Sequence, residues 1–247
     1  MAKNINGNLS GAAERKTLHK NLEFTATEQY KLLRTNINFT LPENEKCPII
    51  GVTSSVRGEG KSTTSINLSY VMAEKGSKVL LIDGDLRLPS VARKMRLPST
   101  PGLTDLLMGN AINMAEFQSD ILKNWYIIPS GSIPPNPSEL LGSRRMESVL
   151  EKLKEMFDYI IVDLPPVNIV SDAVSLANIA SGVVVVVRED YTEKKELERC
   201  FRQLKLSNFN ILGCLLNGSK ADSIHSKYNK YYKNKGYYKS ATTEDEN

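Results

Sequence analysis

The stretch PIIGVTSSVRGEGKST, residues 48–63, decides how the rest of the chain is read. Its first six residues have the composition of a buried strand. The remaining ten are close to the phosphate-binding pattern G-x-x-x-x-G-K-[ST]. Gly60, Lys61 and Ser62 match its last three letters, and Ser55 stands where its first glycine belongs. Gly58 and Gly60 permit the tight turn that brings successive N–H groups onto phosphate oxygens. A helix starting near Lys61 adds the partial positive charge of its N-terminus. Lys61 can then reach the β- and γ-phosphates of a nucleotide, and the Ser62 hydroxyl can ligate Mg²⁺. The bland alternative is a glycine turn before a helix with a solvated lysine, and a G-x-G-K-S-T run lodged between strand and helix argues against it. Arg57, Glu59 and Thr63 complete the expected nucleotide-binding loop.

Five more strands are expected at 78–83, 125–129, 158–163, 182–188 and 210–217, with helices at 61–75, 104–108, 137–156, 172–179 and 192–206. Several of these strands are apolar on successive residues, which marks strands covered on both faces. Alternating strands and helices predict an α/β fold, a doubly wound and mainly parallel sheet of the P-loop NTPase type. Tyr30, Leu33 and Ile37 recur at helical spacing in a segment spanning 25–40, with Thr27 as the expected N-cap. The organisation predicted is an arm at 1–24, one domain at 25–218 and a tail at 219–247.

Two more strand ends carry acids. KVLLIDGDLRLP ends its strand on Asp83, and Asp83-x-Asp85 sends both carboxylates to the same side if strand geometry continues. One could hold Mg²⁺ while the other takes a proton from an attacking hydroxyl; turn-forming aspartates are the competing interpretation. DYIIVDLPP sets Asp163 after an apolar run, the arrangement of a Walker B carboxylate that binds metal directly or through water. Acids and a phosphate loop at the ends of three strands together predict ATP and Mg²⁺ as cofactors.

Composition narrows the remaining classes. The net charge of +4 is small, and Lys227, Lys230, Lys233, Lys235 and Lys239 concentrate it in the tail, so nucleic acid is not expected as a partner. Three cysteines without C-x-x-C spacing fit a reduced compartment, and two distant histidines make a histidine-based site improbable. The longest apolar run, Val183 to Val187, falls far below the roughly 20 residues of a membrane span. A reduced, cytoplasmic protein is therefore expected, and any membrane role must come through a partner.

The tail holds YNKYYKNKGYY, residues 228–238, with five of the ten tyrosines: Tyr228, Tyr231, Tyr232, Tyr237 and Tyr238. Composition allows three uses: phospho-acceptors, an aromatic and basic strip for nucleic acid or anionic lipid, or a plainly solvated segment. With VRGEGKST, VLLIDGDLRLP, DYIIVDLPP and the segment PPNPSELLGSRRM at 134–146, however, the chain resembles the bacterial tyrosine kinases of capsule and exopolysaccharide synthesis (BY-kinases). It is less similar to the septum-placing and chromosome-partitioning ATPases, whose second lysine precedes the P-loop lysine by five residues, where this chain has Val56.

That resemblance implies an ATP-dependent tyrosine autokinase whose tail tyrosines are the acceptors. It implies Asp83 as the base, Ser62, Asp85 and Asp163 on Mg²⁺, and Lys61 on the phosphates. Arg57 and Arg87 would steady charge on the transferred group, and Asn217, ending the last strand, would touch the adenine, with a turn-forming asparagine as the competing interpretation. Glu28, Lys31 and Arg34 form one charged stripe that on its own fits a solvated helix face. The family's E-x-x-R-x-x-R stripe, used to close rings of subunits, aligns with it, lysine replacing the middle arginine. The partners implied are further copies of the chain, a membrane-embedded activator that controls polysaccharide chain length, and other polysaccharide-synthesis proteins as substrates. A P-loop ATPase switch with a basic anchoring tail, or a nucleotide-bound scaffold, are the competing functions.

Overall fold

The structure, a computed structural model, describes residue 22 and residues 24–219. Residues 1–21, residue 23 and the tail from 220, with all five of its tyrosines, lie outside the described residues. Six strands form one sheet: β1 Ile49–Ser54, β2 Val79–Asp83, β3 Trp125–Ile128, β4 Tyr159–Asp163, β5 Gly182–Arg188 and β6 Ile211–Asn217. All pairings are parallel, in the order β3-β2-β4-β1-β5-β6. Each strand falls within a residue of its expected position.

The apolar runs read from sequence divide between two cores. Val79 and Leu81 join one side with Ile50, Val52, Ile161 and Val184, while Leu80 and Ile82 join the other with Ile49, Ile160, Val162 and Val183. Successive strand side chains point to opposite faces, so a strand buried twice must be apolar throughout. One face is covered by α1 Phe24–Thr40, α2 Lys61–Glu74 and α3 Val91–Met95. The other is covered by α4 Leu103–Met108, α5 Pro137–Leu141, α6 Arg144–Lys154 and α7 Lys194–Leu206.

Three helical expectations need correction. α1 begins at Phe24, so Thr27 is not a cap but a buried residue inside the helix. The single helix expected at 137–156 breaks at Gly142–Ser143, where the Ser143 hydroxyl accepts the Met146 N–H at 3.2 Å and restarts the chain as α6. Residues 171–176 form a 3-10 turn in place of an α-helix. The helix α3 was not expected at all.

The strand order sets the position of the site. β4 lies between β1 and β2, so the loops after all three strands meet at the carboxyl edge of the sheet. The order changes direction beside β1, and open α/β sheets bind ligands at such a switch point.

Candidate active site

Register brings the acids together. Asp83 and Asp163 are paired across the β2–β4 ladder, and the Gly84 N–H donates to the Asp163 carbonyl at 2.9 Å. A side chain at position 84 would sit 2.9 Å from Val162 Cγ1 and 3.0 Å from that carbonyl, so only glycine lets the β2 exit hug β4. Asp85 follows within the same cluster.

The loop from Ser55 to Gly60 is held from within and from both sides. Ser55, standing in for the pattern's first glycine, donates its hydroxyl to Glu59 Oε1 at 2.8 Å. The Val56 N–H donates to Glu59 Oε2 at 2.8 Å, and the Thr192 hydroxyl also reaches Glu59. The Glu59 carboxylate is thus turned inward, fully buried, and serves the loop. Tyr191 donates its phenol to the Arg57 carbonyl at 3.0 Å and Arg188 its guanidinium to the Gly58 carbonyl at 3.0 Å. Asn217, expected on the adenine, instead donates Nδ2 to the Glu59 carbonyl at 2.9 Å. Gly58 and Gly60 have φ of 84° and 101°, the left-handed conformation that glycine adopts without strain.

The loop delivers the chain into α2, whose N-cap Gly60 offers no side-chain cap and whose first turn contains no acid. Its leading N–H groups therefore point outward with the helix dipole behind them, the donor set a phosphate requires. Lys61 lies beside it, 12% exposed, with Nζ 2.8 Å from Asp85 Oδ2 and 3.5 Å from Asp163 Oδ2. Burial works against its charge, but Asp163 and Asp85 outweigh that and raise its pKa. Asp163 is pushed up by burial, and Lys61, Ser62 and Ser65 oppose that by favouring its ionised form. Ser65, one turn along α2, donates to Asp163 Oδ1 at 3.1 Å; sequence reasoning missed it, although its i+4 spacing from Lys61 puts it on the same face.

Asp83 is fully buried, and its Oδ2 accepts the N–H groups of Ser90 and Val91 at 3.0 and 2.9 Å, while Oδ1 takes a longer bond of 3.3 Å from Asp85 N–H. Burial and the Asp163 charge raise its pKa to about 7. Oδ1 keeps a free lone pair, since each carboxylate oxygen can accept two hydrogen bonds. Arg87, expected near the transferred group, is held bidentately by buried Asp172 at 2.8 and 3.2 Å and donates to Ser138 at 3.1 Å. It ties the β2 exit to α5 and the 3-10 turn. Arg57 is exposed on the loop.

Among the described residues no cluster of three carboxylate, imidazole or thiolate side chains forms a closed metal cage. Magnesium does not need one: it takes one or two carboxylates and completes its shell with phosphates and water. Ser62, Asp85 and Asp163 at the mouth of an uncapped helix fit that chemistry.

Glu28 and Lys31 pair with each other along α1 at 2.8 Å, and Arg34 donates to the Val71 carbonyl of α2 at 2.5 Å. The stripe expected to face another subunit is partly engaged within its own chain. No helix among the described residues is long and apolar enough to cross a membrane.

The fold has counterparts among known proteins. The AAA domain family matches residues 47–210. The chain is 40% identical to tyrosine-protein kinase YwqD of Bacillus subtilis (strain 168) over 205 residues, covering 83% of this chain and 86% of that protein. The kinase domain of Escherichia coli tyrosine kinase ETK superposes with a TM-score of 0.72 at 33% identity, covering 80% of this chain and 79% of that one. More distant is the septum site-determining protein MinD of Pyrococcus horikoshii OT3, complexed with Mg-ADP, at TM-score 0.58 and 26% identity, covering 74% of this chain and 76% of that one. Since the relatives that match most of its length are tyrosine kinases, the chain is a protein-tyrosine kinase and belongs to the bacterial tyrosine kinase (BY-kinase) family.

Proposed function

We propose that this kinase uses ATP·Mg to phosphorylate the tyrosines of its own tail, Tyr228, Tyr231, Tyr232, Tyr237 and Tyr238, between subunits, and so regulates capsular or exopolysaccharide synthesis and export. The observation that carries the reading is the Lys61 contact with Asp85 and Asp163 beside the paired Asp83, three strand ends converging on one uncapped helix. Bound ATP·Mg supplies the phosphoryl group and much of the neutralising charge. Asp83 Oδ1 takes the proton from the acceptor tyrosine as the new O–P bond forms and the β–γ bridging bond breaks. With Lys61 turned from Asp85 to the phosphates, Asp85, Asp163 and Ser62 would hold the metal. Positioning and charge neutralisation suffice because the transition state is loose.

Each phosphotyrosine adds about −1.5 to −2 charges, so a fully modified tail reverses its lysine charge and is repelled by a carboxylate-rich site. That makes the tail a self-limiting substrate. The partners proposed are other copies of the chain, a membrane-embedded activator and polysaccharide-synthesis enzymes.

The likeness to MinD favours one competitor, an ATPase switch in which the tail merely anchors. Incubation with γ-labelled ATP in the presence of an activator peptide separates the two. Label on the wild-type tail that disappears when the five tyrosines become phenylalanine is the expected result; release of free phosphate without protein label would establish the switch.

A further inference from the structure

The helix α3 carries a cation outside the set formed by Lys61, Ser62 and the three aspartates. Asp83 Oδ2 binds the N–H groups of Ser90 and Val91, so α3 starts from the active-site carboxylate itself. One turn on, the Lys94 N–H returns to the Ser90 carbonyl at 3.0 Å, and the Lys94 ammonium crosses to α2 and donates to Thr63 Oγ1 at 3.2 Å. A lysine in the last turn of a helix is favoured by the negative end of the helix dipole. Lys94 instead reaches the first turn of α2, two residues from Lys61.

No carboxylate pairs with that charge directly among the described residues. Lys94 is half-buried. Burial and neighbouring Arg93 lower its pKa; Asp163 and Lys61 also act on it, in opposite senses, so it lies within the field of the site. Lys61 already has two carboxylates, whereas Lys94 is offered a neutral hydroxyl. A partly desolvated ammonium of this kind gains most from an incoming anion. Thr63 lies on the uncapped turn over which the nucleotide phosphates must pass.

We propose that Lys94 is a second phosphate-binding ammonium of the nucleotide site, contacting the phosphate chain of a nucleoside di- or triphosphate beside Thr63. This rests on the nucleotide reading of the loop, but not on the identity of the phosphoryl acceptor.

Calorimetric titration of the full chain with ADP·Mg tests it, comparing wild type with Lys94→Gln, Lys94→Met, Lys94→Arg and Lys75→Gln. Lys75, at the far end of α2, controls for a general loss of charge. Lys94→Gln should bind ADP about tenfold more weakly, the effect of one charge-assisted hydrogen bond. Its affinity should also depend less steeply on salt. Lys94→Arg should keep most of the affinity, and Lys75→Gln all of it. Urea unfolding of the free proteins checks that folding is intact, and Lys94→Met, which preserves the aliphatic stem, carries the test if the glutamine variant unfolds. Unchanged ADP affinity on neutralising Lys94, or an equal loss in Lys75→Gln, overturns the inference and leaves the nucleotide site standing. Failure of the wild type to bind ADP overturns both.

Discussion

Asp83 does two tasks with one carboxylate. Oδ2 anchors the start of α3, and Oδ1 is the oxygen proposed to take the proton of a tyrosine hydroxyl. With its pKa raised to about 7 by burial and by Asp163, a base at this position is ionised only toward neutral pH. Transfer at limiting ATP should therefore fall off below about pH 7, and a profile flat from about pH 6 to about pH 8 would remove Asp83 from that role. Asp83→Asn should slow transfer by roughly 10²–10⁴-fold. The same shift has a sign in stability. The folded carboxyl holds its proton above the ordinary 3.8, so its contribution is full below that value and is lost as pH rises through about 7. Asp83→Asn should flatten that dependence and raise the unfolding midpoint near pH 8, read by thermal melts at several pH values. Glu59 is the structural counterpart. Replacing it with alanine strands the Ser55, Val56 and Thr192 donors and should cost about 2 kcal/mol in urea unfolding.

Among the elements, the phosphate loop is a clamped segment. The turn after β5 holds it through Arg188, Tyr191 and Thr192, and β6 holds it through Asn217. A Cβ at position 60 would lie 2.1 Å from Asn217 Nδ2, on a backbone with φ of 101°. Gly60→Ala therefore meets both a clash and conformational strain, the latter of about 1–3 kcal/mol. It should weaken ADP binding at least tenfold by calorimetry. Adding Asn217→Ala should recover only part of the loss, because it removes the clash and leaves the strain. Full recovery would mean the left-handed turn is dispensable. The exchange of glycine for Ser55 at the start of the loop has its reason here too: position 55 has no positive φ, and its hydroxyl cross-links the loop.

For the molecule as a unit, the question is whether copies of the chain meet through α1. Glu28 is 44% exposed and its pairing with Lys31 is of the surface kind, worth under about 1 kcal/mol. Glu28→Lys should therefore leave the melting temperature unchanged. If α1 forms the contact between subunits, the same variant lowers both the assembly mass by light scattering and the tail phosphorylation by anti-phosphotyrosine blot. Unchanged mass and phosphorylation would make the stripe a solvated face. Arg34 is a poorer probe, since it also supports α2 through the Val71 carbonyl.

All six strands, the phosphate loop and the acids at Asp83, Asp85 and Asp163 could be read from the chain alone. Each is written locally: an apolar run for a strand buried twice, glycines for a turn, a carboxylate at a strand's end. What needed the fold was every fact that depends on who stands beside whom. The insertion of β4 between β1 and β2 pairs Asp83 with Asp163, and Asp172 claims Arg87 across 85 residues of sequence. Asn217 serves the loop it packs on, and Lys94 reaches Thr63 from a five-residue helix too short to announce itself. Side-chain partners are fixed by tertiary proximity, and proximity between distant segments leaves no periodicity or spacing in a single sequence.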